Sequence, residues 1–393
     1  MAHSEDRVIN DLLAKVRELR PLIEANVEAN ERERRLAPAI FEALRDARLF
    51  QLAIPKALGG FELDPVSMYK VIEELARIDG ATGWCVAIAQ SWGSIGLGTL
   101  GEKALGEIFP DRGAIAAGAF NPPGALIPVE GGFRFSNRGA FASGCQHAKV
   151  QLMTGMVMNG DQPLVDAAGA PDVRLVMMPT ADVIIHDTWD TMGMRGTGSH
   201  DIEARDVFVP EHHTGQMGAV GSAAYANPMY KIFMMAVHFE TVVSIGVAQA
   251  AVDYVLKLAP GKTPAMTANS LRDRATAQAQ VAEAQAIVNA ARATLYSSIT
   301  EGLDEATRTG AVSLPTKLTM QLAACFAADQ CARAVQLVWS AAGTSGIKTG
   351  SPLHRYFRDI NTLSQHASKS LPRYESVGRI MFGVESDWPI FAL

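Results

Sequence analysis

The chain has 393 residues, of which 48% are hydrophobic and 19% are charged, which is enough for a large buried core and about two or three domains. Its net charge of -6 leaves no basic footprint of the kind that nucleic-acid-binding proteins carry. No apolar signal-type run opens the sequence, and no stretch reaches the ~18 to 20 apolar residues that span a bilayer. We therefore expect a cytoplasmic protein that binds neither nucleic acid nor membrane.

Four cysteines are present, and no two of them form a Cys-x-x-Cys pair. This spacing argues against a disulfide framework or a zinc site and favours reduced residues in the core. The four are Cys85, Cys145, Cys325 and Cys331.

The first zone of the chain, residues 1–110, is predicted to be a helical domain. Apolar residues recur at helical spacing over 8–23, and Pro38 stands in the first turn of a second helix. Two further helices are predicted at 64–78 and 81–96.

The second zone, residues 111–225, consists of short β-branched or alternating runs separated by Gly, Pro, Asn and Asp, which predicts a β domain built as a small sandwich or barrel. Long helical patterns return in the third zone, residues 226–393, and predict a bundle. The predicted helices of this bundle are 229–258, 269–302, 314–342 and 354–369. The fold class is therefore mainly α with a central β domain.

A glycine-rich segment, GMRGTGSHDIEARDVFVP (193–210), precedes one of the predicted strands. A dinucleotide-binding loop needs a helix after it, and here a strand follows, so the segment is not read as a Rossmann loop. It is predicted to be a loop whose backbone approaches a partner closely, with the hydroxyls of Thr197 and Ser199 available. An ordinary glycine-rich turn remains the alternative.

The segment FASGCQHAKV (141–150) places Ser143 at the end of an apolar strand. A serine there is able to donate a hydrogen bond to a cofactor, but it also suits a simple turn. The segment lacks the flanking glycines of a hydrolase nucleophile elbow.

The adjacent histidines His212 and His213 cannot face one ion in the way that an i, i+4 helical pair does, and there is no HExxH motif. No metal site is therefore expected.

The segment FRDINTLSQHASKS (357–370) contains His366 and, next to it, Ala367. Taken alone, a histidine at this point is more often a solvated residue near the end of a helix than a catalytic base.

Together these segments resemble the acyl-CoA dehydrogenase fold family over nearly the whole chain. The resemblance implies an N-terminal helical domain, a middle β-barrel or sandwich and a C-terminal four-helix bundle, with flavin between the β domain and the bundle and a homotetrameric assembly. It is carried by PKALGG (55–60), IDGATGWCVA (78–87), GGFRFSNRGAFASG (131–144), GMRGTGSHDIEARDVFVPE (193–211), QLVWSAAGTSG (336–346) and HRYFRDI (354–360).

Two departures from the family pattern indicate a subgroup. Dehydrogenases of the family often carry a catalytic glutamate at the place that Ala367 occupies here. The Arg-x-Gln-Phe-Gly that supports the dinucleotide part of FAD is also not evident in residues 260–274. The resemblance therefore implies FMN, with FAD less favoured, and no base for the abstraction of an α proton.

Both departures fit the two-component flavin-dependent monooxygenases of the family, which the chain resembles in SGCQHA (143–148), RGTGSHDI (195–202) and FRDINTLSQHA (357–367). That branch includes oxygenase components acting on 4-hydroxyphenylacetate, hydroxylated secosteroids and dibenzothiophene. The resemblance implies that His366 and Ser143 are catalytic, with Ser143 close to the flavin N5. The further flavin-binding residues implied are Trp84, Arg195, Gly196, Thr197, Gly198 and Ser199.

The same resemblance implies that reduced FMN arrives from a separate NAD(P)H:flavin reductase and reacts with dioxygen to give a C4a-hydroperoxyflavin, which oxygenates an aromatic or heteroaromatic molecule. The expected substrate pocket contains Trp92, Phe120 and His366. Trp92 stands where the branch often has a phenol-binding histidine, which disfavours a phenol and leaves room for an indole, a thiophene, an amine or another apolar aromatic molecule.

Two alternatives stay open from the sequence. One is an acyl-CoA dehydrogenase-like oxidoreductase whose base has moved, for example to Glu240 or Glu375. The other is a flavin-binding protein of the same fold without catalytic activity.

Overall fold

The computed structural model describes residues 2–111, 113–165 and 169–392. Helices come first along the chain, strands follow, and long helices return, so the predicted order is confirmed. The domain boundaries at 110 and 225 stay predictions. The helices are α1 (Ala2–Glu33), α2 (Pro38–Asp46), α3 (Pro65–Ile78), α4 (Gly80–Ser91), α5 (Glu102–Ile108), α6 (Met234–Leu258), α7 (Ala275–Thr309), α8 (Leu314–Ala342), α9 (Pro352–Leu363) and α10 (Leu371–Met381).

One eight-stranded mixed sheet forms the centre of the chain. Its order is β6-β7-β2-β1-β3-β5-β8, with β4 beside β3. The strands β1 and β3 run parallel, and the other neighbouring pairs are antiparallel. The strands are β1 (Ala116–Val129), β2 (Gly132–Ala142), β3 (Val150–Asn159), β4 (Gln162–Pro163), β5 (Val173–Pro179), β6 (Ile184–His186), β7 (His200–Pro210) and β8 (Thr214–Gln216).

Asp79 separates α3 from α4 and fixes where α4 begins. Its carboxylate accepts hydrogen bonds from the backbone N–H of Thr82 at 2.9 Å and from the Thr82 hydroxyl at 2.7 Å. An N-terminal cap of this kind satisfies donors that the first helical turn leaves free. Regular helix then ends at Ser91, and a π-helical turn, Trp92–Gly96, replaces the last turn of the helix predicted at 81–96.

The helix α6 lies at the centre of the bundle and packs against α3, α4, α7, α8 and α9. With its 3-10 continuation it spans Met234–Gly261 and is long and apolar enough to cross a membrane, so the prediction that no such stretch exists was wrong. In the fold, 67% of its most apolar window is buried. It is thus apolar because its surroundings are protein core.

The last bundle helix is shorter than predicted. The pattern predicted helix over 354–369, but α9 ends at Leu363 and His366 lies in the turn before α10. The run 364–370 contains three serines, and side-chain hydrogen bonds such as Ser364 Oγ to the Asn361 carbonyl compete with helix continuation. The predicted 269–302 helix is likewise displaced, to Ala275–Thr309.

Candidate active site

A chain of buried hydroxyls joins α4 to the glycine-rich loop. The indole Nε1 of Trp84 donates to Ser143 Oγ at 2.9 Å. Ser143 Oγ lies 2.6 Å from Ser199 Oγ, which lies 2.6 Å from Thr197 Oγ1. Thr197 donates to the Met194 carbonyl at 2.8 Å.

The direction of every proton in this chain follows from its two ends. A carbonyl only accepts, so the single hydroxyl proton of Thr197 is committed to Met194, and Ser199 must donate to Thr197. Ser143 must then donate to Ser199, because the proton of Ser199 is already used. Ser143 therefore accepts from Trp84 and holds its own proton toward Ser199.

The strand register creates this proximity. Ala142 and His200 are partners across β2 and β7, so the residues just beyond them, Ser143 and Ser199, lie side by side. Directly after Ser143 and directly before Ser199, a glycine in the left-handed backbone region turns the chain, with φ of 73° at Gly144 and 54° at Gly198. Most side chains disfavour that backbone conformation, which explains the glycines seen in both motifs.

His366 faces a carboxylate and a serine. Its Nδ1 lies 2.8 Å from Ser368 Oγ and 3.0 Å from Glu240 Oε2, and Ser368 Oγ donates to the same oxygen of Glu240 at 2.6 Å. A carboxylate only accepts, so the 3.0 Å contact assigns the proton of the imidazole to Nδ1, and the 3.4 Å approach of the Ser368 backbone N–H to Nδ1 is the weaker contact. Nε2 is then the acceptor nitrogen, and it has no hydrogen-bond partner among the described residues.

Trp84 connects the hydroxyl chain to the histidine. Its ring centroid lies 5.3 Å from that of His366, edge to face. The Nζ of Lys369 lies 5.0 Å from the Trp84 ring centroid and donates to the Glu240 carbonyl at 2.8 Å. The residues Trp84, Ser143, Thr197, Ser199, Glu240, His366, Ser368 and Lys369 are called the polar half of the site below.

The charges of the polar half influence one another. Burial by itself raises the pKa of Glu240, but His366, Lys369 and Ser368 together hold that pKa below its ordinary value. Burial lowers the pKa of the Lys369 ammonium to about 8, although Glu240 acts in the opposite direction. Glu240 is therefore held as a carboxylate, which suits a group that orients a histidine.

An aromatic wall adjoins the polar half. Trp92 stacks on Phe120 with ring centroids 4.6 Å apart, and Phe120 lies 6.4 Å from Phe233. Ile95 and Ala236 pack with Phe233 in one small cluster. Ala236 stands one helical turn before Glu240 on α6, so the cluster continues toward His366 along one helix face. Trp92, Ile95, Phe120, Phe233 and Ala236 are called the apolar wall below.

One expected flavin-binding side chain points elsewhere. The guanidinium of Arg195 bonds to Asp190 at 2.8 Å and to the carbonyls of Thr191 and Glu31 at 2.8 and 3.1 Å. Its side chain thus supports the loop from outside the hydroxyl chain. Gly196, beside it, is packed tightly, since an added Cβ would lie 3.0 Å from the Asn30 side chain and 3.1 Å from that of Ala81.

The pair Arg358–Asp359 fastens α9 to the same loop. Asp359 accepts from the Met194 backbone N–H at 2.6 Å, and Arg358 bonds to Glu31 at 2.7 Å and to the Met192 carbonyl at 2.5 Å. Burial raises the pKa of Asp359 to about 7. This contact holds the helix that precedes His366 against the segment that carries the hydroxyl chain.

The polar half offers what an isoalloxazine ring requires. Its hydroxyls and the indole N–H are suited to ring heteroatoms, and the glycines of the loop permit close backbone approach. These residues fit a flavin, while two surface cavities lie elsewhere, along α7 and beside α1.

From the sequence, His366 was predicted to be catalytic, Glu240 was named only in an alternative, and Ser368 and Lys369 were not named. A signal for Glu240 was present, because it is the first charged residue of α6 and stands in an otherwise apolar run. A charge inside such a run needs a partner, but the sequence does not show which one.

Adjacent positions do not keep the side chains of His212 and His213 apart, contrary to the expectation from helical spacing. His212 and His213 are adjacent in sequence, yet both Nε2 atoms approach Glu107 Oε2, at 2.7 and 3.1 Å. They lie in a 3-10 turn, Glu211–His213, for which helical spacing does not apply.

Comparisons with known proteins agree with the fold. Residues 11–108 match the model for the acyl-CoA dehydrogenase N-terminal domain, and residues 240–370 match the model for the acyl-CoA dehydrogenase C-terminal domain. The second match includes both Glu240 and His366.

Relatives are similar over almost their whole length. The indole-3-acetate monooxygenase of Pseudomonas putida is 30% identical over 90% of this chain and 89% of its own. The oxygenase subunit HsaA, a flavin-dependent monooxygenase of Rhodococcus jostii, is 26% identical over 93% of this chain and 97% of its own. The structure of XiaF from Streptomyces with FADH2 and glycerol is 26% identical, with a TM-score of 0.88 over 99% of both chains.

Proposed function

The chain belongs to the acyl-CoA dehydrogenase family, and from this premise we propose its function. It is the oxygenase component of a two-component flavin-dependent monooxygenase, and it oxygenates an aromatic or heteroaromatic small molecule. A separate NAD(P)H:flavin reductase supplies the reduced flavin.

One observation carries this function, namely the pairing of His366 with Glu240 beside Ala367. The methyl group of Ala367 cannot remove an α proton from an acyl thioester. The imidazole next to it is oriented by a carboxylate and keeps one nitrogen as an acceptor. The site thus lacks the family's dehydrogenase base and has an acid–base group suited to oxygenation.

The bound flavin supplies the redox chemistry and the activation of dioxygen. Trp84, Ser143, Thr197 and Ser199 would hold its ring. Ser143 is the candidate donor to N5, and to donate there it must turn its proton away from Ser199. The gap between the Ser143 and Ser199 oxygens must then widen from 2.6 Å, because the proton of Ser199 is committed to Thr197.

His366 moves the proton of the reaction. Its Nε2 accepts from a substrate hydroxyl or ring N–H, and Glu240 stabilises the imidazolium that results. The apolar wall holds the aromatic substrate and excludes water, so that reduced flavin is spent on product rather than on peroxide.

The apolar wall favours an indole or a thiophene over a phenol. Trp92 and Phe120 offer stacking faces, and neither side chain binds a phenol hydroxyl in the way that a histidine would. The relative from Pseudomonas putida is named for an indole substrate, which supports an indole-type molecule.

FMN stays the proposed flavin. The 260–274 segment contains no Arg-x-Gln-Phe-Gly, and its Lys262 is used on the Ala342 carbonyl and on Ser345 Oγ. The similar XiaF structure holds FADH2, so the choice needs a direct test. Anaerobic titration should give a dissociation constant for reduced FMN at least tenfold below that for reduced FAD. Equal constants would overturn this preference.

A homotetramer is proposed from the family resemblance. Light scattering should give about four times the chain mass of 42.0 kDa. A stable monomer with full activity would contradict it.

The function is tested by oxygen uptake with reduced FMN in the presence of indoles, thiophenes and phenols, while product and peroxide are both counted. At least one aromatic compound should yield an oxygenated product and lower the share of peroxide. Peroxide alone with every compound would count against the apolar wall as a substrate site.

The relocated-base alternative has one observation in its favour, which is the presence of Glu240 in the site. Its lowered pKa and its contacts with His366 and Ser368 make it a weak base. Glu375 is exposed on α10. Anaerobic mixing of the flavin-loaded protein with acyl-CoA compounds distinguishes the two functions, since only a dehydrogenase would bleach the flavin.

A further inference from the structure

Two histidines and a glutamate converge on the surface, away from the residues of the candidate active site. Glu107 Oε2 lies 2.7 Å from His212 Nε2 and 3.1 Å from His213 Nε2. One ligand atom from each of the three residues lies within 4.8 Å of the other two. Glu107 and the histidines are more than 100 residues apart in sequence, at separations of 105 and 106.

The backbone explains why adjacent histidines point the same way. The 3-10 turn Glu211–His213 follows Pro210 at the end of β7, and the Thr214 hydroxyl bonds back to the Glu211 carbonyl at 2.8 Å. The two imidazoles meet nearly edge to face, with ring centroids 4.7 Å apart. The helix α5 packs against this turn and places Glu107 opposite both rings.

The donor atoms suit a borderline transition metal. Imidazole nitrogens and a carboxylate oxygen bind Zn²⁺ at about 2.0–2.2 Å, and three protein ligands with one open position form a common zinc arrangement. Tetrahedral coordination at those lengths places donor atoms roughly 3.3 Å apart. The present separations from Glu107 are a few tenths of an ångström shorter, so rotation of side chains opens the space.

Access and charge also permit an ion. The side chains of Glu107, His212 and His213 are 47%, 33% and 13% exposed, which leaves room for a water ligand. Lys103 is the competing cation, with Nζ 3.9 Å from Glu107, but its side chain is 70% exposed and free to turn away.

We propose that Glu107, His212 and His213 form a binding site for Zn²⁺ or a similar divalent transition metal. The ion ties α5 to the turn between β7 and β8 and so fastens the first helical zone to the sheet. It takes no part in the oxygenation chemistry.

The chain offers a matched control for an ordinary histidine–carboxylate pair. His186 Nε2 lies 2.7 Å from Glu203 Oε2, the same distance as in the His212–Glu107 pair. The other partner of Glu203 is Arg205, whose guanidinium cannot bind a cation. A variant of this pair removes a surface histidine without touching the proposed site.

The experiment is a titration of the metal-free full chain with ZnCl₂ against a chromogenic chelator, followed by thermal unfolding with and without Zn²⁺. The wild type and His186→Ala should bind one equivalent and gain stability with Zn²⁺. His213→Ala and Glu107→Gln should weaken binding at least tenfold and lose that gain.

Zinc binding to His213→Ala and Glu107→Gln with wild-type stoichiometry and affinity would overturn the site, as would the absence of a bound equivalent in the wild type. If one variant does not fold, which circular dichroism would show, His212→Ala takes its place.

Discussion

The polar half and the apolar wall of the candidate active site differ in the kind of contact that their residues make. In the polar half, each hydroxyl proton has an assigned partner, and the charged groups Glu240 and Lys369 are in contact between α6 and the turn after α9. In the apolar wall, Trp92 stacks on Phe120, Phe233 lies tilted to Phe120, and the contacts are apolar. The difference indicates that the chemistry and the choice of substrate are separable by mutation, since each property depends on residues that the other does not use.

Removal of His366 should have the largest effect on the polar half. His366→Ala is expected to lower product formation by about 10²–10⁴-fold, the usual contribution of a general acid–base group. Flavin binding should stay near the wild-type level. Product formed at the wild-type rate would show that His366 is not the acid–base group. His354 lies in the first turn of α9 and contacts Arg358. The variant His354→Ala removes another histidine near the site and should have little effect on product formation.

The buried charge of Lys369 should appear in the pH dependence of stability. Its pKa of about 8 in the folded protein lies below the unfolded value of 10.5, so the unfolded state binds more protons between those pH values. Stability relative to Lys369→Met should therefore rise from pH 8 to pH 10.5, by up to about 3 kcal/mol. Urea unfolding at several pH values measures this. The exposed Lys257→Met provides the control, and parallel curves for wild type and Lys369→Met would contradict the effect.

Glu240 is a positioning residue, and its replacement should have a smaller effect than the loss of His366. Glu240→Gln removes the charge that orients Nδ1 and stabilises the imidazolium, and product formation should fall by about tenfold or more. Glu240→Asp keeps the charge and should recover part of the rate. Flavin affinity is the second measurement. If Glu240→Asp and Glu240→Gln lower the rate of product formation equally, the charge of Glu240 has no role in the reaction.

The apolar wall should respond in KM rather than in the chemical step. Trp92→Ala removes a stacking face that contributes about 1–3 kcal/mol, so KM for an indole-type substrate should rise by about tenfold or more. Phe141→Ala, on the exposed face of the sheet, serves as the control. A fall in kcat with unchanged KM would break the separation between the two parts. Trp92→His should improve the turnover of phenols relative to indoles.

The smallest effect is expected at Ser143. Ser143→Ala removes one hydrogen bond to the flavin and should raise the peroxide share of the consumed oxygen by about twofold to tenfold. The variant Ser199→Ala leaves Ser143 in place and frees the Ser143 proton from its partner. The peroxide share of this variant should therefore stay at or below that of the wild type. An increase as large as that of Ser143→Ala would place the important donor elsewhere in the chain of hydroxyls.

The sequence predicted the order of helices and strands because periodicity is a local property. It also predicted His366, Ser143, Thr197 and Ser199, since they lie in motifs whose resemblance to a family is specific. It did not predict where α9 ends, because the serines of 364–370 compete with the helix through side-chain bonds that periodicity does not show. The role of Glu240 depends on a contact across 128 residues with Ser368, which no local pattern contains.

The same limit applied to His212 and His213. Their spacing excluded a helical ligand pair, and that inference was correct for a helix. The segment folds as a 3-10 turn against α5, and its partner Glu107 comes from another zone of the chain. Tertiary packing, rather than spacing, brought the three side chains together.

The position of Trp84 gives the protein a built-in optical reporter. Its indole touches the hydroxyl chain, faces the His366 ring and lies under the Lys369 ammonium, so its emission responds to each of these groups. Four other tryptophans contribute to the fluorescence, and the difference spectrum between wild type and Trp84→Phe isolates this one. Flavin arrival and discharge of Lys369 near pH 8 would then be followed in real time, without a label and without turnover.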